Sequence, residues 1–208
     1  MPARVESFFI DGPAGRIEAL LEEPGDAPTR QVALLCHPHP LYGGTMHNKV
    51  VHRLSLALRR LGTLVLRFNF RGVGLSAGSF DGGRGELDDA RAALNWLAGA
   101  YPELPVWLGG FSFGARIALK LGCEDERVSR IIAVGVPVED PVIEAAQLAG
   151  CRREKILIQS THDEFGPRAL VEELFRRWPE PKRLLWVQAA DHFFSDALSM
   201  LEEAVTRV

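Results

Sequence analysis

Pro105-Val106-Trp107-Leu108-Gly109 is an apolar run of buried-strand type, and it leads directly into Gly110-Phe111-Ser112-Phe113-Gly114, a G-x-S-x-G pentapeptide. This spacing meets a mechanical need. A serine on a tight strand-to-helix turn is held in a strained backbone conformation with its hydroxyl thrust outward. Gly110 and Gly114, two before and two after it, remove Cβ atoms that would clash across the turn. The N–H of Phe113, opening the next helix, then faces a developing oxyanion.

On either side of this stretch the chain alternates short apolar runs with helical spacing. Val5–Ile10 and Arg16–Glu22 read as extended segments joined at Asp11-Gly12-Pro13. Strands are expected at Gln31–Cys36, Thr63–Phe70, Pro105–Gly109, Arg130–Val136, Lys155–Ser160 and Arg183–Gln188. Helices are expected at His47–Leu61, Glu86–Gly99, Phe113–Leu121, Pro141–Leu148, Arg168–Trp178 and Phe194–Val208. Gly62 and Gly122 read as stops, and Asp88 and Asp89 as first-turn acids favoured by the helix dipole. Residues 72–85 hold six glycines and read as loop. Strands alternating with helices predict an α/β fold: a mostly parallel, doubly wound sheet with helices on both faces, as one domain over residues 1–208. Ligands of such sheets bind beyond the carboxyl ends of the strands. Catalytic residues should therefore follow strands.

Ser112 does. A serine hydroxyl needs a base to take its proton. Of six histidines, His192 is best placed, between the last strand and the last helix. A carboxylate should orient the imidazole. Asp163 follows the Lys155–Ser160 strand, with Glu164 its competitor. Asp191 adjoins the base, where it cannot easily accept from Nδ1–H, and reads as a cap or loop-fixing residue. His162 reads as a loop residue.

The loop after Gln31–Cys36, His37-Pro38-His39-Pro40-Leu41-Tyr42-Gly43-Gly44-Thr45, should supply a second oxyanion donor. The prolines have no N–H. The candidates are the amides of His39, Leu41 and Tyr42, in that order, with the Tyr42 hydroxyl a further option. His37 reads as fixing the loop through backbone hydrogen bonds. His37 and His39 have no acidic partner close behind, and His47 and His52 are five apart rather than four, so no metal is expected. Arg71-Gly72-Val73-Gly74-Leu75-Ser76-Ala77-Gly78 lacks the immediate helix of a nucleotide fingerprint, and Arg71 reads as a structural tie.

Bulk properties narrow the class. The 208 residues carry a formal net charge of −3, with 47% hydrophobic and 25% charged residues. No basic stripe points to nucleic acid, and no apolar run approaches the roughly 20 residues of a membrane span. The start, Met1-Pro2-Ala3-Arg4-Val5-Glu6-Ser7, has no signal-peptide character. Cys36, Cys123 and Cys151 are widely spaced without a C-x-x-C, which argues against a disulfide framework or zinc site and suits a reducing cytoplasm.

With these residues in place, the chain resembles the α/β-hydrolase superfamily over nearly its full length, in the chain order Ser, Asp, His. It looks more narrowly like the small lidless bacterial hydrolases related to dienelactone hydrolase and the S9-type peptidases. Residues His37 to Lys49 and Arg67-Phe68-Asn69-Phe70-Arg71-Gly72-Val73-Gly74 carry that closer match. The resemblance implies Ser112 as nucleophile, Asp163 as acid, His192 as base and the Phe113 N–H as one oxyanion donor, acting on a small ester-type substrate without a cofactor. A thioester or peptide substrate, or a non-catalytic binding role on the same fold, are the alternatives. Dienelactone hydrolase itself has a cysteine nucleophile, so its substrate does not transfer, and His37-Pro38 replaces the usual His-Gly of the oxyanion loop. Position 112 to position 163 is a step of 51 residues, which leaves no room for a cap domain. An open site follows, with Tyr42, Phe111, Phe113, Phe165 and Phe193 as candidates to line it or to belong to the core.

Overall fold

The computed structural model describes residues 4–25, 27–138, 148 and 150–208. Eight strands form one sheet: β1 (Val5–Gly12), β2 (Gly15–Glu22), β3 (Gln31–Cys36), β4 (Thr63–Phe68), β5 (Val106–Phe111), β6 (Val128–Val134), β7 (Glu154–Ser160) and β8 (Lys182–Val187), in the spatial order β1-β2-β4-β3-β5-β6-β7-β8. β1 and β2 pair antiparallel, as does β2 with β4, and every other pairing is parallel. Among the described residues there are five α-helices: α1 (Lys49–Arg60), α2 (Arg84–Ala100), α3 (Phe113–Glu124), α4 (Arg168–Arg177) and α5 (Leu198–Thr206). This is the α/β-hydrolase fold, and the described residues contain no cap domain.

Strand side chains alternate between two cores. On β3, Val32, Leu34 and Cys36 face one core with the apolar residues of α2, α3 and α4. Ala33 and Leu35 face the other, filled by Val50, Leu54 and Leu58 of α1 and Leu201 and Val205 of α5. The sheet is thus buried on both faces, which is why its central strands read as continuous apolar runs rather than alternating ones. The helix after β3 lies on one face and the helix after β5 on the other. These two strands are neighbours, so a crevice opens where their carboxyl ends diverge. No helix of the described residues is long and apolar enough to cross a membrane.

Several boundaries differ from expectation for identifiable reasons. α2 begins at Arg84, because the buried Glu86 carboxylate accepts from the N–H groups of Asp81 (2.9 Å) and Gly83 (2.7 Å) and caps the helix. Asp88 and Asp89 therefore lie beyond the first turn. α3 runs through Gly122 to Glu124, because that glycine does not take the left-handed conformation of a helix stop; its missing Cβ instead makes room for Ile131, since a Cβ there would sit 2.6 Å from Ile131 Cγ1. α5 starts only at Leu198, after a turn in which Phe194 has φ 53°. The helix expected over Pro141–Leu148 falls outside the described residues except for Leu148.

The cysteine expectation is corrected. Cys123 and Cys151 form a disulfide across 28 residues, and Cys36 is free and buried. α3 runs antiparallel to its strands, so its C-terminal end meets the edge where β7 begins, and Cys151 lies just before β7. Spacing along the chain does not reveal such a pairing, and the cysteines no longer support a reducing compartment.

Candidate active site

Ser112 lies at the end of β5 with φ 56° and ψ −119°, a conformation that L residues avoid. Such a backbone costs on the order of 1–3 kcal/mol and persists only where its surroundings enforce it. Here the Ser112 N–H is tied to the Val134 carbonyl at 2.9 Å, and the two glycines are obligatory. A Cβ on Gly110 would sit 2.3 Å from the Gly114 oxygen, directly across the turn. A Cβ on Gly114 would sit 2.3 Å from the Cys36 oxygen, so this second glycine seats the turn against β3 rather than across itself. The Phe113 N–H is one of the donors that the start of α3 leaves without an intrahelical acceptor.

His192 and Asp163 meet below this turn. His192 Nδ1 lies 2.9 and 2.8 Å from the two Asp163 carboxylate oxygens, and both side chains are buried. Asp163 Oδ1 also accepts from the N–H groups of Phe165 (2.9 Å) and Gly166 (3.0 Å), and Oδ2 accepts from Gln159 Nε2 at 2.8 Å. A carboxylate held in place by these donors accepts the imidazole Nδ1–H, which leaves Nε2 as the basic nitrogen. Glu164, the competitor in sequence, instead positions the backbone of the base, its Oε2 accepting the His192 N–H at 2.9 Å. Asp191 fixes the loop as expected by accepting from the Ser195 N–H, and a hydrogen bond from the Ser195 side chain, with that N–H behind it, holds its carboxyl below the usual range. His162 Nδ1 donates to the Ala189 carbonyl at 2.9 Å, a loop role.

A cavity of about 430 Å³ opens beside Ser112 and His192, bounded by the 37–48 loop on one side and by Phe113, Arg116, Pro137, Phe165 and Phe193 on the others. Four of the five expected aromatics, Tyr42, Phe113, Phe165 and Phe193, line it. Phe111 does not. It is fully buried beneath the His192 ring, 4.8 Å between centroids, because its strand position faces the core.

Two of the three candidate oxyanion amides have partners within the loop. The Leu41 N–H donates to His39 Nδ1 (3.2 Å) and the Tyr42 N–H to the His39 carbonyl (3.1 Å), so both amides are engaged inside a short 3₁₀ turn at Pro40–Tyr42. The Tyr42 ring is 86% exposed and rests on His39. His39, first among the candidates, lines the cavity.

What holds this loop is the Arg67–Gly72 stretch, whose side-chain roles do not follow from the sequence pattern. Arg67 Nη1 donates to the Met46 carbonyl (2.5 Å) while its Nε donates to Glu22 (2.7 Å). Asn69 Oδ1 accepts the Met46 N–H at 2.8 Å, and the Phe70 N–H donates to His37 Nε2 at 3.0 Å. Polar residues inside an otherwise apolar strand end were the available signal. Arg71 is the expected structural tie, its guanidinium bidentate to the buried Asp89 of α2 at 3.0 and 2.8 Å.

His37 is buried with both ring nitrogens used, since its Nδ1 also donates to the Pro38 carbonyl at 2.6 Å. Burial pushes its imidazole down from 6.5 to about 4, against the opposing pull of that carbonyl. The folded chain therefore binds fewer protons here than the unfolded chain as pH falls below 6.5. The contribution of the neutral ring is complete above that value and is lost on the way down to about 4, a span worth about 3 kcal/mol. Chemical denaturation at about pH 7 and about pH 4 should show this loss in the wild type, and His37→Gln should lack that portion of the pH dependence whatever its absolute stability.

Comparisons with known proteins identify the family and the fold. The family described as an alpha/beta hydrolase domain matches residues 30–202. A protein of Rickettsia prowazekii, described as uncharacterized, is 38% identical over 194 residues, covering 90% of this chain and 81% of its own. Among solved structures, an alpha-beta serine hydrolase homologue from Coxiella burnetii superposes with TM-score 0.92 at 37% identity, over 97% of this chain and 96% of that one. A serine hydrolase without lid from Xanthomonas campestris superposes with TM-score 0.90 at 33% identity, over 100% of this chain and 94% of that one.

Proposed function

The chain belongs to the alpha/beta hydrolase family, and from that premise we propose that it is a serine hydrolase of small carboxylic esters, with Ser112 as nucleophile, His192 as general base and Asp163 as the carboxylate that orients it. The observation that carries this reading is the strained Ser112 beside the same cavity as a buried, carboxylate-bonded His192.

His192 Nε2 takes the Ser112 proton as Oγ attacks the ester carbonyl. Asp163 stabilises the imidazolium and keeps the ring in the tautomer that presents Nε2. The Phe113 N–H receives the oxyanion, and the His39 amide is the second donor in this reading. Collapse of the tetrahedral adduct expels the alcohol, which takes the proton from His192. Water then attacks the acyl-enzyme carbonyl and gives a proton to His192; collapse of the second adduct breaks the bond to Ser112 Oγ, which takes that proton back, and the acid is released. The cavity suits an ester of modest size, being largely apolar with a few convergent polar groups.

Turnover of p-nitrophenyl acetate tests the proposal. The folded protein should release p-nitrophenol through an acyl-enzyme on Ser112. Absence of turnover by the folded protein would contradict it.

A further inference from the structure

Two of the rings that contact His192 also line the cavity. Phe165 and Phe193 meet the imidazole at 4.9 and 5.2 Å between centroids, both line the cavity, and they are 48% and 38% exposed. Phe113, on the other side of Ser112, is buried and packs against His39. A single exposed apolar side chain is ordinary. Two phenylalanines that flank one imidazole and face one cavity leave apolar surface where a ligand group can cover it.

Chemistry specifies which part of a substrate meets them. When the tetrahedral adduct collapses, the oxyanion pair re-forms the carbonyl and the C–O bond to the alcohol breaks. The alcohol oxygen takes the proton held on His192 Nε2, so it must come within hydrogen-bond reach of that nitrogen. The carbon skeleton attached to that oxygen then lies against whatever borders the imidazole. We propose that Phe165 and Phe193 form a leaving-group subsite, and that the preferred substrates are esters of apolar, ring-bearing alcohols. The subsite is open on its outer side, so it selects for an apolar body next to the ester oxygen without limiting its length. This assignment rests on His192 being the general acid–base of the proposed hydrolase.

Benzyl acetate and methyl acetate test it, because their alcohols have nearly equal acidity and differ mainly in what meets the rings. The wild type should favour the benzyl ester in kcat/KM by about tenfold, and Phe165→Ala and Phe193→Ala should each reduce that ratio about threefold or more. Methyl phenylacetate against methyl acetate varies the acyl side instead, and the two substitutions should leave that ratio unchanged. Equal rates for benzyl and methyl acetate in the wild type would overturn the subsite while leaving the hydrolase reading intact, as would substitutions that alter the acyl-side ratio alone. Failure to turn over any of these esters, with Ser112 unreactive to a fluorophosphonate, would overturn both.

Discussion

Ser112→Ala should lower kcat on p-nitrophenyl acetate by about 10⁴-fold or more and leave the melting temperature nearly unchanged. The two results belong together. Alanine keeps the Cβ and removes only the hydroxyl, so the turn between Gly110 and Gly114, the 2.9 Å bond from residue 112 N–H to Val134 and the seat of Gly114 on Cys36 are untouched. The strained φ of 56° is as unfavourable for alanine as for serine, so no strain is relieved. What disappears is the atom proposed to form the acyl-enzyme. Residual turnover comes from donors and substrate binding alone. Thermal melting beside steady-state kinetics checks both halves, and a variant with most of its activity would place the nucleophile elsewhere.

Asp163→Asn should lower kcat by about 10⁴-fold, and unlike the serine variant it should also destabilise the fold. The Asn oxygen can replace Oδ1 as acceptor for the Phe165 and Gly166 N–H groups. Its NH₂ then occupies the place of Oδ2, facing His192 Nδ1 at 2.8 Å and the Gln159 amide nitrogen at 2.8 Å. Donation to Nδ1 drives the ring proton to Nε2, the nitrogen that must be free to accept from Ser112. Toward Gln159 it sets donor against donor, and Gln159 cannot simply turn over because its Oε1 accepts the Val136 N–H at 2.9 Å. A buried conflict of this kind costs about 1–3 kcal/mol. Single-turnover acylation rates and urea denaturation measure the two effects separately.

Much of this site was legible because its signals are local. Glycine at positions 110 and 114, an apolar run before Ser112, and acidic and basic residues directly after later strands all lie within a few residues of the elements they mark. Expectations failed where the deciding contact, near or far along the chain, depended on a geometry that residue types do not specify. Glu86 moved a helix start by capping it, and Gly122 makes room for Ile131 instead of ending α3. Leu41 and Tyr42 lost their amides to His39, a competition within a turn whose geometry composition does not specify. Phe111 and Phe113 are two residues apart, yet the first closes a strand into the core while the second opens a helix at the cavity. Arg67 and Asn69 were visible as part of a motif, but their shared target, the Met46 backbone, emerged only once β4 lay beside the loop after β3.

The central claim is that Ser112 is the nucleophile activated by His192, and covalent trapping tests it most directly. The protein would be incubated with a fluorophosphonate, digested and mapped by peptide mass spectrometry. One adduct is expected, on Ser112, absent from Ser112→Ala and strongly slowed in Asp163→Asn. An adduct on any other residue, or none on a folded protein, would contradict it.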